Sequence, residues 1–192
     1  MKHFVFLVAL VCVLCASLNP VKAVSNTELQ DTSRFARIIS KGDTGGGDGK
    51  YIELSTIRDN SIDAHTKNIE AKIYVVLPSS DLIREYKVRY DYDLNLSFAN
   101  MVAKAPELKT RLPDFSLNEL WNIKMMESGI VGMVLNQQDY TLNGESKPTQ
   151  PALKGYENVT FLTPTDFDFE SYHVANRIFK IVYGTFYDDV IR

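Results

Sequence analysis

The chain has 192 residues, with 24 acidic against 21 basic side chains and two cysteines. This acidic balance argues against nucleic acid, or an anionic membrane surface, as the main partner. The length suits one globular domain, because a chain of about 150 residues buries roughly two-thirds of the surface that it exposes when unfolded.

The first 23 residues have the pattern of a secretory signal peptide. Lys2 and His3 precede a largely apolar run over residues 4 to 18, and Val21 and Ala23 are small residues at the −3 and −1 positions of a cleavage site. The run is shorter than the ~20 apolar residues that a transmembrane helix requires. We therefore expect cleavage after Ala23 and a secreted, extracellular protein without a membrane anchor.

Removal of this leader changes the composition of the mature chain. Both cysteines, Cys12 and Cys15, and two lysines, Lys2 and Lys22, leave with it, so that 19 basic side chains face 24 acidic ones. The mature protein is therefore expected to be free of disulfides. Small secreted domains often depend on disulfides for stability. Because this mature chain is expected to have none, its stability must come from its core.

Residues 24 to 50 are predicted to form an N-terminal arm and a glycine-rich linker. The pattern over residues 27 to 39 suggests a short helix, and five glycines among residues 42 to 49 indicate a flexible segment. Lys41, Gly42 and Asp43 match an adhesive tripeptide of the kind that integrins bind, whereas Arg34 and Arg37 match a minimal basic processing site. A simple linker is the favoured interpretation, because matches this short arise easily by chance.

Residues 86 to 98 show the clearest periodicity in the chain, because apolar and polar side chains alternate without a fault. This period of two predicts a long strand with one buried face and one solvated face. The inward positions are predicted to be Tyr86, Val88, Tyr90, Tyr92, Leu94, Leu96 and Phe98. The outward Asn95 begins an N-glycosylation sequon, and Asn158 begins a second one.

Further strands are predicted over residues 51 to 57 and 68 to 77, which are rich in β-branched and aromatic residues. A hairpin is predicted over residues 130 to 143, with its turn at 136 to 139. The apolar C-terminal region, residues 159 to 190, is expected to supply two or three strands. Pro106 is expected to mark a loop.

The best helix signal covers about residues 116 to 128. Ser116 and Glu119 have the spacing of a capping box, and Gly129 occupies the position at which a left-handed residue ends a helix. A helix over this range places four large apolar residues on one face: Leu117, Leu120, Trp121 and Met125.

Asp166, Asp168 and Glu170 alternate with Phe167 and Phe169, which on a strand would align the three acids on one face. Three adjacent like charges are stabilised by solvent or by a cation such as calcium. A solvated strand face is the favoured interpretation. The alternatives are a site for calcium as a cofactor and a carboxylate-dependent hydrolase.

Together these patterns predict one mainly β domain over residues 51 to 192. An antiparallel β-sandwich or barrel with one packed helix is expected, and an α+β arrangement is the alternative. The function expected for this glycoprotein is non-catalytic: a secreted binding or effector protein that recognises an extracellular protein or a small apolar ligand in a concavity lined by Tyr and Phe. The alternatives are a secreted hydrolase that uses Asp166, Asp168 and Glu170, and an adhesive ligand that uses residues 41 to 43.

Overall fold

The computed structural model describes residues 23 to 38, 49 to 111, 116 to 153, 156, 159 to 162 and 169 to 191. These residues form one curled antiparallel sheet, in which strands β1 to β6 follow one another in chain order and β7 pairs with β5. The strands are β1 (Phe35–Ile38), β2 (Gly49–Asp59), β3 (Thr66–Leu77), β4 (Leu82–Asp93), β5 (Ile130–Tyr140), β6 (Ser146–Lys147) and β7 (Val159–Leu162). The described α-helices are α1 (Phe98–Arg111), α2 (Leu117–Met126) and α3 (Phe169–Tyr183). The mainly antiparallel β fold with a packed helix is thus confirmed.

Strand β4 has the predicted alternation. Val88, Tyr90 and Tyr92 are buried, whereas Lys87 is exposed. The strand ends at Asp93, five residues earlier than predicted, because Leu94–Leu96 form a 3-10 turn. The Asp93 carboxylate starts this turn by accepting a hydrogen bond of 2.9 Å from the Asn95 backbone N–H.

Helix α3 covers one face of the sheet, which we call the inner face. The Tyr92 hydroxyl donates a 2.9 Å hydrogen bond to the Ala175 carbonyl, and the Tyr92 and Phe179 rings lie 5.0 Å apart. Two or three strands were predicted over residues 159 to 190; β7 confirms one of them, whereas the prediction was wrong for Phe169–Tyr183, which is a helix. Its buried residues recur at helical spacing and form one stripe: Tyr172, Val174, Ala175, Ile178 and Phe179. None of the helices in the described part of the chain is long and apolar enough to cross a membrane.

The residues that the structure describes cover the opposite, outer face only at one end. There the N-terminal segment packs Leu29 and Phe35 against Tyr51, Tyr74 and Ile83 in a second apolar cluster. Within the described part of the chain, residues 27 to 38 do not form the predicted helix: a 3-10 turn (Glu28–Gln30) is followed by β1, which pairs with β2. Strand pairing buries apolar residues that an isolated short helix would leave exposed.

The predicted hairpin turn and the predicted loop at Pro106 were also wrong. Strand β5 continues through residues 136 to 139, because the buried Asp139 of this stretch is paired with Arg84 on β4. The turn lies further on, where the Thr141 N–H donates to the Glu145 carbonyl at 2.8 Å. Pro106 lies inside α1 rather than in a loop.

Helix α2 begins as predicted, with the reciprocal hydrogen bonds of a capping box between Ser116 and Glu119. Gly129, beyond its end, has the expected positive φ of 79°. The predicted apolar face was only partly right, because Leu120 is buried whereas Leu117 and Trp121 are exposed. The helix packs against α1 through a narrow stripe around Leu120, so the flanking apolar positions remain at the surface.

Candidate functional site

The uncovered end of the outer face carries a groove of about 570 Å³. Residues at the ends of β3, β4, β5 and β7 line it, together with the end of α2 and the residues that follow. At this end the described residues form two layers, the sheet and α3, because α3 packs on the inner face and no described helix packs on the outer face. The outer side chains of these strands are therefore available to a ligand.

The floor of the groove is one row of cross-strand neighbours. Asn68 pairs with Asp91, Asp91 with Val131, and Val131 with Phe161. The Asn68 side-chain amide donates to Asp91 Oδ1, and Arg89 Nε lies 3.6 Å from Asp91 Oδ2. The floor thus changes from polar at β3 and β4 to apolar at β5 and β7.

Two large apolar side chains line the groove and remain exposed to solvent. Phe161 is 74% exposed on β7, where strand alternation turns its neighbour Leu162 into the core. Met126 is 72% exposed at the last position of α2. Neighbouring exposed apolar side chains around a concave surface are typical of interaction sites.

A buried network fixes the wall formed by Ser128 and Gly129. Lys124 is 1% exposed, and its ammonium donates to the Leu96 carbonyl at 2.8 Å and to the Ser128 carbonyl at 2.6 Å. The same ammonium lies 2.6 Å from Asp188 Oδ1. A side chain at Gly129 would approach Leu96 Cβ within 2.6 Å, which explains the small residue at this point.

The electrostatics of this network point to a structural role. Burial lowers the pKa of Lys124, although Asp188 opposes the change. Burial, together with Asp188, raises the pKa of the Tyr172 and Tyr187 hydroxyls, so both stay protonated. The Tyr187 hydroxyl donates to the Asp93 carbonyl at 2.6 Å. The hydrogen bonds that Lys124 and Tyr187 donate to the Ser128 carbonyl hold the wall of the groove in place.

One of the three residues predicted to bind a metal, Glu170, lies in the described part of the chain. Asp166 and Asp168 lie outside the described residues, as do Lys41, Gly42 and Asp43. Glu170 lies in the first turn of α3, so the strand alternation that motivated the calcium site does not extend to it. Within the ranges that the structure describes, no three His, Cys, Asp or Glu residues are grouped to hold a metal ion. The calcium site stays a prediction.

The two predicted glycosylation sites differ in what the structure shows. Asn95 is exposed, and its amide donates a 3.0 Å hydrogen bond to Asp93 Oδ1. Ser97 of the same sequon is buried, and its hydroxyl donates to the Val190 carbonyl at 2.5 Å. Asn158 lies outside the described residues. Modification at both positions stays a prediction.

Most of the aromatic residues that suggested a ligand concavity belong to the core. Tyr86 stacks on Tyr156 at 4.6 Å, and Phe179 packs against both Tyr92 and Tyr187. The groove was not found by sequence reasoning, because its apolar members are distant in the chain. The alternation over residues 159 to 162 weakly indicated a strand, but it does not show which of its two faces is turned to the core.

Compared with known protein families, curated proteins and solved structures, the chain shows no significant match to any of them. The fold and the groove are therefore the basis for an argument about function. They define a mainly antiparallel β protein with a partly apolar, partly acidic groove on the outer face of its sheet.

Proposed function

We propose that the protein is a secreted, non-catalytic binding protein whose groove takes a small apolar ligand. The observation that carries this proposal is the exposure of Phe161 and Met126 on a groove of about 570 Å³. Ligand sites typically have volumes of about 300–1,000 Å³ with mostly apolar walls. A bound ligand would remove both side chains from water.

The hydroxyl groups that line the groove support binding rather than catalysis. The Ser128 hydroxyl donates to the Leu162 carbonyl, and the Thr66 hydroxyl donates to Asp63. The hydrogen bond from Thr66 lowers the pKa of Asp63 to about 2, so this carboxylate is a poor proton acceptor at neutral pH. Nucleophilic catalysis needs a hydroxyl that is paired with a base of suitable pKa, whereas these hydroxyls stabilise the local backbone and turn.

The proposed extracellular location rests on the predicted leader over residues 1 to 23 and on Asn95, the exposed asparagine of the first sequon. The hydrolase and adhesive alternatives rest on residues for which the structure gives no side-chain geometry. The groove is therefore the better supported site. A protein partner that inserts an apolar side chain into the same groove is a second outcome of the binding test.

The test is binding of an uncharged fluorescent probe, N-phenyl-1-naphthylamine, to the purified mature protein. We expect probe fluorescence to rise on binding, and Phe161→Gln or Met126→Gln to weaken binding at least about 10-fold, because burying one large apolar side chain is worth roughly 1.5–3 kcal/mol.

The matched control is Leu117→Gln, which changes an exposed apolar residue at the opposite end of the same helix, α2. It should leave probe affinity unchanged. Denaturant midpoints of all variants establish that they fold. Absence of probe binding, or equal weakening by the control, would overturn the proposal.

A further inference from the structure

We infer that the ligand of this groove is a cationic amphiphile, with an ammonium group beside Asp91 and Asp93 and an apolar body that reaches Phe161 and Met126. The inference rests on the proposed function and adds the chemical class of the ligand. It follows from the distribution of charge around the groove and from the distance between its acidic and apolar parts.

The charged side chains that line the groove are mostly acidic. Three are carboxylates, Asp91, Asp93 and Glu127, and one is a cation, Lys67. The Lys67 ammonium donates to the Asp63 carbonyl at 2.9 Å and lies 5.7 Å from the centre of the Tyr183 ring on α3. Because α3 packs on the inner face, the Lys67 charge is directed away from the groove.

The Asp91 carboxylate has capacity for a further donor. Its Oδ1 accepts from Asn68, whereas the contact of Oδ2 with Arg89 is a loose 3.6 Å, and the side chain is 44% exposed. Asp93 is two residues further along the same strand and projects from the same face, about 7 Å away. The positive charge of Arg89 reduces the negative charge of this surface but does not cancel it. The surface therefore attracts an ammonium ion and repels a carboxylate ligand.

The apolar end of the groove lies at a fixed distance from these acids. Asp91 and Phe161 share one cross-strand row, with Val131 between them. Two strand spacings give about 10 Å. A ligand with one ammonium group and a flexible apolar chain of about this length therefore contacts both ends at once.

The experiment compares three probes that share a ten-carbon chain: 1-aminodecane, 1-decanol and decanoate. Each displaces N-phenyl-1-naphthylamine from the mature protein at neutral pH and low ionic strength, below its micelle-forming concentration. We expect the amine to bind about 10-fold more tightly than the alcohol, as charge-assisted hydrogen bonds allow, and decanoate to bind more weakly than the alcohol. Added salt should reduce the advantage of the amine.

The variants are Asp91→Asn and Asp93→Asn, alone and together. Asparagine keeps an oxygen to accept the hydrogen bonds from Asn68 and from the Asn95 N–H, so the fold is expected to persist, and either single variant serves if the double variant does not fold. The double variant should bind the amine and the alcohol equally. Glu107→Gln, at an exposed position on α1, is the matched control and should keep the full preference.

The outcomes separate this inference from the proposed function. If the alcohol binds but the amine has no advantage, the groove binds ligands and the cationic assignment is wrong. A preference that persists in the double variant, or that Glu107→Gln also removes, overturns the assignment as well. If N-phenyl-1-naphthylamine binds but none of the three probes displaces it, the cationic assignment is wrong; if N-phenyl-1-naphthylamine does not bind either, the proposed function itself fails.

Discussion

At the scale of single residues, a buried ion pair holds the loop after β6 to the sheet. Arg84 Nε lies 2.7 Å from Asp139 Oδ1, and Arg84 Nη2 donates to Asp139 Oδ2 at 2.8 Å. Arg84 Nη1 donates to the Pro151 carbonyl at 2.8 Å, while the Gln150 N–H donates to Asp139 at 2.9 Å. Both side chains therefore have fixed partners on the neighbouring strand and on the loop.

The pKa of Asp139 predicts a dependence of stability on pH. Burial acts to raise this pKa, but the hydrogen bonds from Arg84 and from the Gln150 N–H outweigh it, and the pKa is lowered. A carboxyl group with a lowered pKa in the folded state contributes stability above its unfolded pKa of about 3.9. This contribution is lost as the pH falls through the folded-state pKa.

We expect Asp139→Asn to cost about 3–5 kcal/mol of unfolding free energy at neutral pH, because it leaves the Arg84 charge buried without its partner. Urea denaturation at neutral and acid pH measures this cost, which should shrink in acid as Asp139 is protonated in the parent protein. Glu70→Gln, which removes a more exposed ion pair with Lys87 (3.1 Å), should cost less than about 1 kcal/mol. Equal losses for the two variants would contradict the assignment of Asp139.

At the scale of elements, β4 organises the fold. It pairs with β3 over its full length and with β5 over most of its length, and its inner side chains contact α3. Its outer side chains form ion pairs across the strands, such as Lys87 with Glu70. The same strand thus contributes to the core on one side and to a charged surface on the other.

Adjacent positions on β4 should therefore differ in their sensitivity to mutation. We expect Val88→Ala to cost on the order of 1–3 kcal/mol, because it removes two buried carbons and leaves a cavity. Lys87→Ala, one residue away on the exposed side, should change stability by about 0.5 kcal/mol or less. Denaturant midpoints of both variants check this prediction, and equal losses would show that the outer face of β4 is covered in solution.

At the scale of the whole molecule, the two faces of the sheet are covered to different extents. Helix α3 covers the inner face, whereas the N-terminal segment covers one end of the outer face. Val24 packs against this second cluster, so the segment that follows the predicted cleavage site is part of the folded domain. The end of the outer face that this segment does not reach carries the groove.

Secretion and glycosylation are properties of the whole chain, and protein purified from a eukaryotic culture medium tests them. We expect its N-terminus at or near Val24 and a shift in gel mobility after enzymatic deglycosylation. The shift should decrease in Asn95→Gln, because Asn95 is exposed on a 3-10 turn, and it should vanish when Asn158→Gln is added. An intact leader on the secreted protein would contradict the signal-peptide prediction.

Two elements with strong local signals, β4 and α2, could be predicted from the sequence. The alternation of β4 could be recognised because a half-buried strand has an apolar residue at every second position. The start of α2 could be recognised because a capping box satisfies backbone donors within four residues. Only the structure identified β1 as a strand, since a segment of four residues fits a strand or a helix equally well until a partner surface buries it. Helix α3 was missed although its apolar residues recur at helical spacing, because its aromatic and β-branched residues favour strands. The tertiary structure also decided the groove, because Asn68, Asp91, Met126 and Phe161 become neighbours only when β3, β4, β7 and the end of α2 converge on one end of the sheet.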